Sequence, residues 1–136
     1  MLSFDDFISS FSTNSCVKNS NTAKAVYSNI ICNSEVRIAM AEYSDANKPA
    51  ILACGKMIED YCSNDPSCDM DLNDDTTKRT IGRMIAASLE PLGYTKKRFT
   101  PFPKSHNCTK FTSGSVFHKT ETGTQKIVKT IVDLEN

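Results

Sequence analysis

From the N-terminus to Leu92 the apolar residues fall at helical intervals, and beyond that point they mix with threonines and basic residues. The change predicts a helical first part and a strand-bearing second part. Ser3 to Ser12 carries Phe4, Phe7, Ile8 and Phe11 at helical spacing behind a serine suited to capping free N–H groups, and reads as a short helix. Thr13 to Asn21 is polar. Thr22 to Cys32 repeats the interval with Val26, Tyr27, Ile30 and Ile31, and Ser34 is positioned to cap a third run whose face is Val36, Ala39, Met40 and Tyr43. A fourth helix is expected to start at Asn47 as its cap, with Pro49 in the first turn, where a missing N–H costs nothing. Its stripe is Ile51, Leu52, Cys54, Ile58, Tyr61 and Cys62.

Ser63 to Asn73 combines turn formers with acid and has no period, so it is expected to be a loop or hinge. Asp74, Asp75, Thr76 and Thr77 then supply caps and favourable charge for a helix whose stripe is Ile81, Met84, Ile85, Leu89 and Leu92. Pro91 excludes the helical conformation at Glu90 and Gly93 suits a left-handed exit, so this helix is predicted to stop near Glu90. Tyr94 to Phe102 and Lys110 to Lys119 predict two antiparallel strands around a turn-like insert, PKSHNCT. In Thr124 to Leu134, Ile127, Val128, Ile131 and Val132 suit a final helix, with a strand as the alternative. The resulting fold class is α+β and mostly helical: a helical N-terminal half, then a helix, a two-stranded β-ribbon and a C-terminal helix.

With 136 residues and 39% hydrophobic content, the chain supports one modest core and excludes a catalytic barrel or a doubly wound nucleotide-binding sheet. The expected organisation is an accessory helical segment over 1–33 and a domain over 34–136, the alternative being one domain throughout. The start MLSFDDFISSF has two aspartates where a signal peptide needs basic residues and then an apolar run, and no stretch is long and apolar enough to span a bilayer. A soluble, cytoplasmic protein without a membrane partner is expected. The formal net charge of zero hides an asymmetry. Residues 1–76 carry 5 basic and 12 acidic side chains, residues 77–136 carry 11 basic and 4 acidic, so the chain is an electrostatic dipole along its own length.

Six cysteines without an export signal are expected to be reduced thiols. Cys62, Cys68, His106 and Cys108 form the one drawable zinc set, but their spacings match none of the tight ligand pairs of structural zinc, so no metal or other cofactor is expected. His106 and His118 are the only histidines, expected as a turn residue and a strand-end residue. A Cys108 and His118 nucleophile pair would need an orienting group and an oxyanion pocket that nothing advertises. The five glycines sit singly, so no phosphate loop is present, and the aspartates of DPSCDMDLNDD lack the spacing of a calcium loop. The sequence predicts no enzyme.

At about 100° per residue, Arg79 and Arg83 project opposite the apolar stripe of the helix that begins near Asp75, with Lys78 on its flank. A basic amphipathic helix preceded by another helix and followed by a basic ribbon resembles a winged helix-turn-helix over roughly Ser34 to Lys119. The resemblance is one of element order and charge. The joining loop is longer, at about 11 residues, than the 3 or 4 of a tight helix-turn-helix, and it is acidic. The resemblance implies a DNA-binding regulator in which Lys78, Arg79, Thr80 and Arg83 face base edges or phosphates. It also implies that Lys96, Lys97, Arg98, Lys104, Lys110 and Lys119 form the wing surface. The partner would be duplex DNA, with a homodimer through the acidic helical half as a further option. The competing reading is a protein-binding inhibitor of the kind carried by phages and other mobile elements, similar to anti-defence and anti-CRISPR proteins. It would present the same basic residues to an acidic, nucleic-acid-like protein surface, or use its acidic half to mimic nucleic acid and occupy a nucleic-acid-binding partner.

Overall fold

The structure, a computed structural model, describes residues 3–9 and 19–120. The chain is α+β and mostly helical, with one antiparallel hairpin after the helices. The C-terminal segment at 124–134, Phe11 and Cys16 lie outside the described residues.

Helix α1, Phe4–Ser9, starts where the Ser3 hydroxyl accepts the Asp6 N–H, as its sequence requires, and buries Phe4, Phe7 and Ile8. Phe7 stacks on Tyr27 at 6.0 Å between ring centroids, and Phe4 meets the same ring edge-on at 5.8 Å. Tyr27 follows α2, Asn21–Val26, which opens into a π-helical turn, Tyr27–Ile31, where the Cys32 N–H donates to the Tyr27 carbonyl. The wider turn keeps Tyr27, Ile30 and Ile31 together on the buried side.

Two helix starts differ from expectation by the residue that does the capping. Helix α3, Ser34–Asp45, is capped by Asn33 and not Ser34: the Asn33 carboxamide oxygen accepts from Glu35 and Val36. Asn47 is not the N-cap of the next helix. It stands in the left-handed region (φ 60°) just past α3, where the Asn47 N–H donates to Ser44 O and the Lys48 N–H to Tyr43 O. That pair of hydrogen bonds closes α3, and asparagine tolerates the left-handed conformation better than most residues. Helix α4, Ala50–Asn64, therefore begins after Pro49, without a side-chain cap.

Helix α5, Asp75–Leu89, is capped by Asp74 and passes into a 3₁₀ turn, Glu90–Leu92. Gly93 leaves at φ 88°, the left-handed exit that its sequence predicts. Strands β1, Tyr94–Pro101, and β2, Ser113–Lys119, pair in register from Tyr94 with Lys119 to Pro101 with Ser113, interrupted by a bulge between Lys96 and Arg98. The bulge places Lys97 as the extra residue of β1.

One connected core runs from Phe4 to Phe117. Ile58 and Cys54 of α4, and Ile81, Met84, Ile85 and Leu89 of α5, are among its innermost side chains, and burial of each of the larger ones contributes about 1.5–3 kcal/mol. β2 is buried at Gly114, Val116 and Phe117, whereas β1 is exposed from Thr95 through Phe99. Gly114 permits this approach, since a Cβ there would collide with the Ile51 side chain. Arg37 locks α3 to the end of α5 by donating to the Ser88 carbonyl at 3.1 Å, and the Tyr94 hydroxyl donates to Asp45 at 2.9 Å, tying β1 to the end of α3.

Candidate functional site

The first turn of α5 is rigid before it reaches any surface. The Asp74 carboxylate accepts the Thr76 N–H and the Thr77 hydroxyl, both at 3.2 Å, and Thr77 is buried. From that turn onward α5 presents Lys78, Arg79 and Gly82 to a groove of about 250 Å³ between the helix and the ribbon. Ile51, Ile85, Phe111 and Phe117, all nearly fully buried, form the floor of the groove, Lys110 stands on the ribbon side, and Phe99 belongs to the same lining. Phe99 is 68% exposed, a large aromatic ring left in water on a basic strand. At Gly82 nothing lies within 4 Å of where a Cβ would sit, so the helix wall is open there.

The ribbon side of the groove is set by a buried carboxylate. Glu59 of α4 is 6% exposed, and its Oε1 accepts from the Thr109 N–H (2.7 Å), the Thr109 hydroxyl (2.8 Å) and the Lys110 N–H (2.8 Å). Burial pushes its pKa up, but these hydrogen bonds to the charged form outweigh burial and hold the carboxyl below its ordinary range. Oε2 is buried with no well-formed hydrogen bond, and the Cys108 thiol is its neighbour. Gly55 makes room for that thiol: a Cβ there would stand 2.9 Å from the Cys108 sulfur. His106 braces the same connection, with Nδ1 2.6 Å from Pro103 O and Nε2 3.1 Å from Phe111 O. Both partners are carbonyl acceptors, so the ring bridges the two ends of the connection. The Lys110 ammonium donates to Asn73 Oδ1 at 2.7 Å, a neutral partner that orients the charge without cancelling it.

Of the residues that the sequence singles out, the groove brings Lys78, Arg79 and Lys110 together. Arg83 continues the exposed stripe of α5 one turn on. Lys96, Lys97 and Arg98 are exposed on β1, but Arg98 reaches toward the Asn47 carbonyl at 3.5 Å. Lys104 and Lys119 are exposed outside the groove lining. Thr80 corrects the expectation: it is buried and its hydroxyl donates to the Thr76 carbonyl, so it faces the core and not a base edge or phosphate. The hairpin end corrects it as well. Phe102, Cys108 and Phe111 are buried and Glu59 grips Thr109 and Lys110, so the connection is docked on α4, and β1 supplies the open surface of the ribbon.

Among the described residues, Arg79, Lys96, Lys97, Lys104, Lys110 and Lys119 take part in no ion pair; Lys78 pairs with Asp75 at 3.3 Å. The acidic loop behaves differently. Asp69 receives the Ser20 hydroxyl (2.5 Å) and the Asn21 and Thr22 N–H groups (3.0 and 3.1 Å), capping α2 from a distance in sequence. The Ser20 hydrogen bond, then the backbone donors, hold Asp69 well below the carboxylate range. Asp65 and Asp71 close local turns by accepting from Ser67 and Asn73.

The reactive alternatives meet local obstacles. Burial first, and then Glu59, push the Cys108 thiol up to about 12, which favours the thiol over the nucleophilic thiolate, and His118 lies at an exposed strand position opposite Thr95. Both nitrogens of His106 face carbonyls. Among the described residues no cluster of three or more His, Cys, Asp or Glu side chains is arranged to hold a metal ion, the five described cysteines are free, and no helix is long and apolar enough to cross a membrane.

Sequence reasoning missed Glu59, Phe99, Asn73 and Gly82. Gly82 carried a signal, because a glycine in the middle of an exposed helix costs about 1 kcal/mol against alanine. Comparison with known proteins returns no match: no protein-family model fits the chain, and no curated protein or solved structure resembles it significantly.

Proposed function

We propose that the protein is a non-enzymatic binder of duplex DNA, acting through the exposed face of α5 and strand β1 in the manner of a winged helix-turn-helix. The observation that carries the reading is the convergence of Lys78, Arg79 and Lys110 on one groove, with one carboxylate, Asp75, beside them. Lysines on an exposed edge strand have another use, since charge and a bulge discourage edge-to-edge pairing. Edge protection accounts for Lys96 and Lys97 but not for cations on a neighbouring helix and on the docked connection. Six cations on and around the ribbon and α5 without an ion pair among the described residues match the requirement of a polyanion, whose affinity grows with each phosphate neutralised. The acidic loop ends at Asp74 and Asp75, so phosphates are expected to approach α5 from Lys78 onward and not over its N-terminus.

The test is a fluorescence anisotropy titration of a labelled blunt duplex at about 50 and 200 mM salt, a range over which affinity for duplex DNA falls steeply when several phosphates are contacted. Saturable binding that weakens at the higher salt supports the reading. Absence of binding at the lower salt contradicts it, and the interaction with an acidic protein surface then becomes the leading function.

A further inference from the structure

We infer that the groove between α5 and the ribbon is a pocket for one unpaired nucleotide, its base against Phe99 and its phosphate among Lys78, Arg79 and Lys110. The inference rests on the DNA-binding reading and adds a strand preference to it.

Size, chemistry and shape each narrow the occupant. The volume of about 250 Å³ falls near the lower limit of small-ligand sites, about 300 Å³, and is too small for an intact duplex but suited to a single nucleotide. The lining is divided: the exposed Phe99 ring stands above a floor of Ile51, Ile85, Phe111 and Phe117, all nearly fully buried, while three cations stand around it with Asp75 as the carboxylate among the lining residues. Such a surface fits a flat, largely apolar body carrying negative charge. A nucleobase with its phosphate has that composition, and every base has a π-face for an aromatic side chain to stack on.

Phe99 and Gly82 are otherwise unexplained. A phenylalanine 68% exposed on a charged strand loses the benefit of burial, and it pairs with Ser115 across the ribbon, a small residue that leaves the ring uncovered. A glycine at the middle of α5 lowers helix stability, and the space in front of it is empty where the groove passes. Both features become useful when a planar group enters between the helix and the strand. Ser113 and Ser115, also in the lining, supply hydroxyls for hydrogen bonds to a base edge that do not demand one base. Lys110 is oriented by Asn73, and Glu59 fixes its backbone, so the phosphate-binding cation is positioned before any ligand arrives.

The experiment compares a labelled blunt duplex with the same duplex carrying a short single-stranded thymidine tail, using the full chain and the variants Phe99→Ala and Gly82→Leu. The parent is expected to bind the tailed probe about tenfold more tightly than the blunt one, the scale of one base stacked on an aromatic side chain. Each variant should abolish that preference, so that the tailed and blunt probes bind it equally well, because Phe99→Ala removes the stacking ring and Gly82→Leu fills the groove without removing charge. Circular dichroism and urea unfolding of both variants establish that they are folded; Phe99→Ala alone suffices if Gly82→Leu is not. Equal affinity of the parent for the two probes, or a preference that survives Phe99→Ala, overturns the nucleotide pocket while leaving duplex binding in place. Failure of the parent to bind either probe at about 50 mM salt overturns the DNA-binding reading, and the pocket with it.

Discussion

The acidic connection between α4 and α5 and the basic surface of α5 and β1 are both rich in charge, and they use it in opposite ways. In the connection, Asp65, Asp69, Asp71 and Asp74 each accept hydrogen bonds from N–H or O–H donors of the chain itself. Outside it, Asp45 receives Tyr94 and Glu59 receives Thr109 and Lys110. The carboxylates are structural groups. On the basic side, Arg79, Lys96, Lys97 and Lys110 have no carboxylate partner among the described residues, and Lys110 is held by a neutral amide. Charge that is satisfied inside the chain stabilises the fold, and charge left in solvent is available to a partner. On the proposed reading the sequence dipole is a division of labour, and mutations on its two sides should separate stability from binding.

The largest effect is expected at Glu59. Glu59→Ala leaves the Thr109 and Lys110 N–H groups without their acceptor and should lower unfolding free energy by about 3 kcal/mol in urea titration. Glu59→Gln, which keeps an oxygen at the same place, should lose about half of that. A change below about 0.5 kcal/mol for the alanine variant would break the claim that acid is structural.

Asp69→Ala should cost about 1 kcal/mol, the usual value of a helix cap, with α2 affected most in hydrogen exchange. Its pH dependence sharpens the same point. The folded-state pKa values of Asp69 and Glu59 are both depressed, so each contributes stability that is present above its unfolded pKa, near 4, and is lost as pH falls through that value toward the lower folded one. Urea midpoints of the parent should fall between about pH 5 and pH 2, and Asp69→Ala should fall less steeply. An Asp69→Ala profile parallel to the parent's would remove Asp69 from the account.

Gly82→Ala should raise stability by up to about 1 kcal/mol, because alanine is the better helix former and its Cβ meets open space. A destabilised variant would mean that the groove closes on Gly82 in solution. The smallest effect belongs to the basic side: Arg79→Ala with Lys97→Ala should change unfolding free energy by no more than about 0.5 kcal/mol, since both side chains are exposed and make no ion pair. A larger drop would show that these cations, too, serve the fold.

Most of the element order can be read from periodicity. The start of α5 at Asp75, its end before Pro91, the left-handed Gly93 and the antiparallel pairing of the two strands all follow from local chemistry. Local chemistry misleads at Asn47, because the same residue type that caps the start of a helix also tolerates the left-handed exit of the one before it. Thr80 misleads because a threonine on a helix can return its hydroxyl to the backbone and be buried, which a basic neighbourhood conceals. Glu59 and Asp69 escape for another reason: their partners lie about 50 residues away in sequence, at Thr109 and at Ser20. Phe99 reads as an ordinary strand residue, and only the tertiary arrangement leaves it without cover. The candidate site is thus legible as a set of charges and illegible as a groove.

The central claim is most directly tested by the salt dependence of duplex binding for the parent and for the double variant Arg79→Ala, Lys97→Ala. If both cations neutralise phosphates, the logarithmic slope of affinity against salt should shrink by about two units, near 0.9 for each phosphate no longer neutralised, while unfolding midpoints stay unchanged. An unchanged slope in a variant that is stably folded would contradict the division between structural acid and partner-binding base.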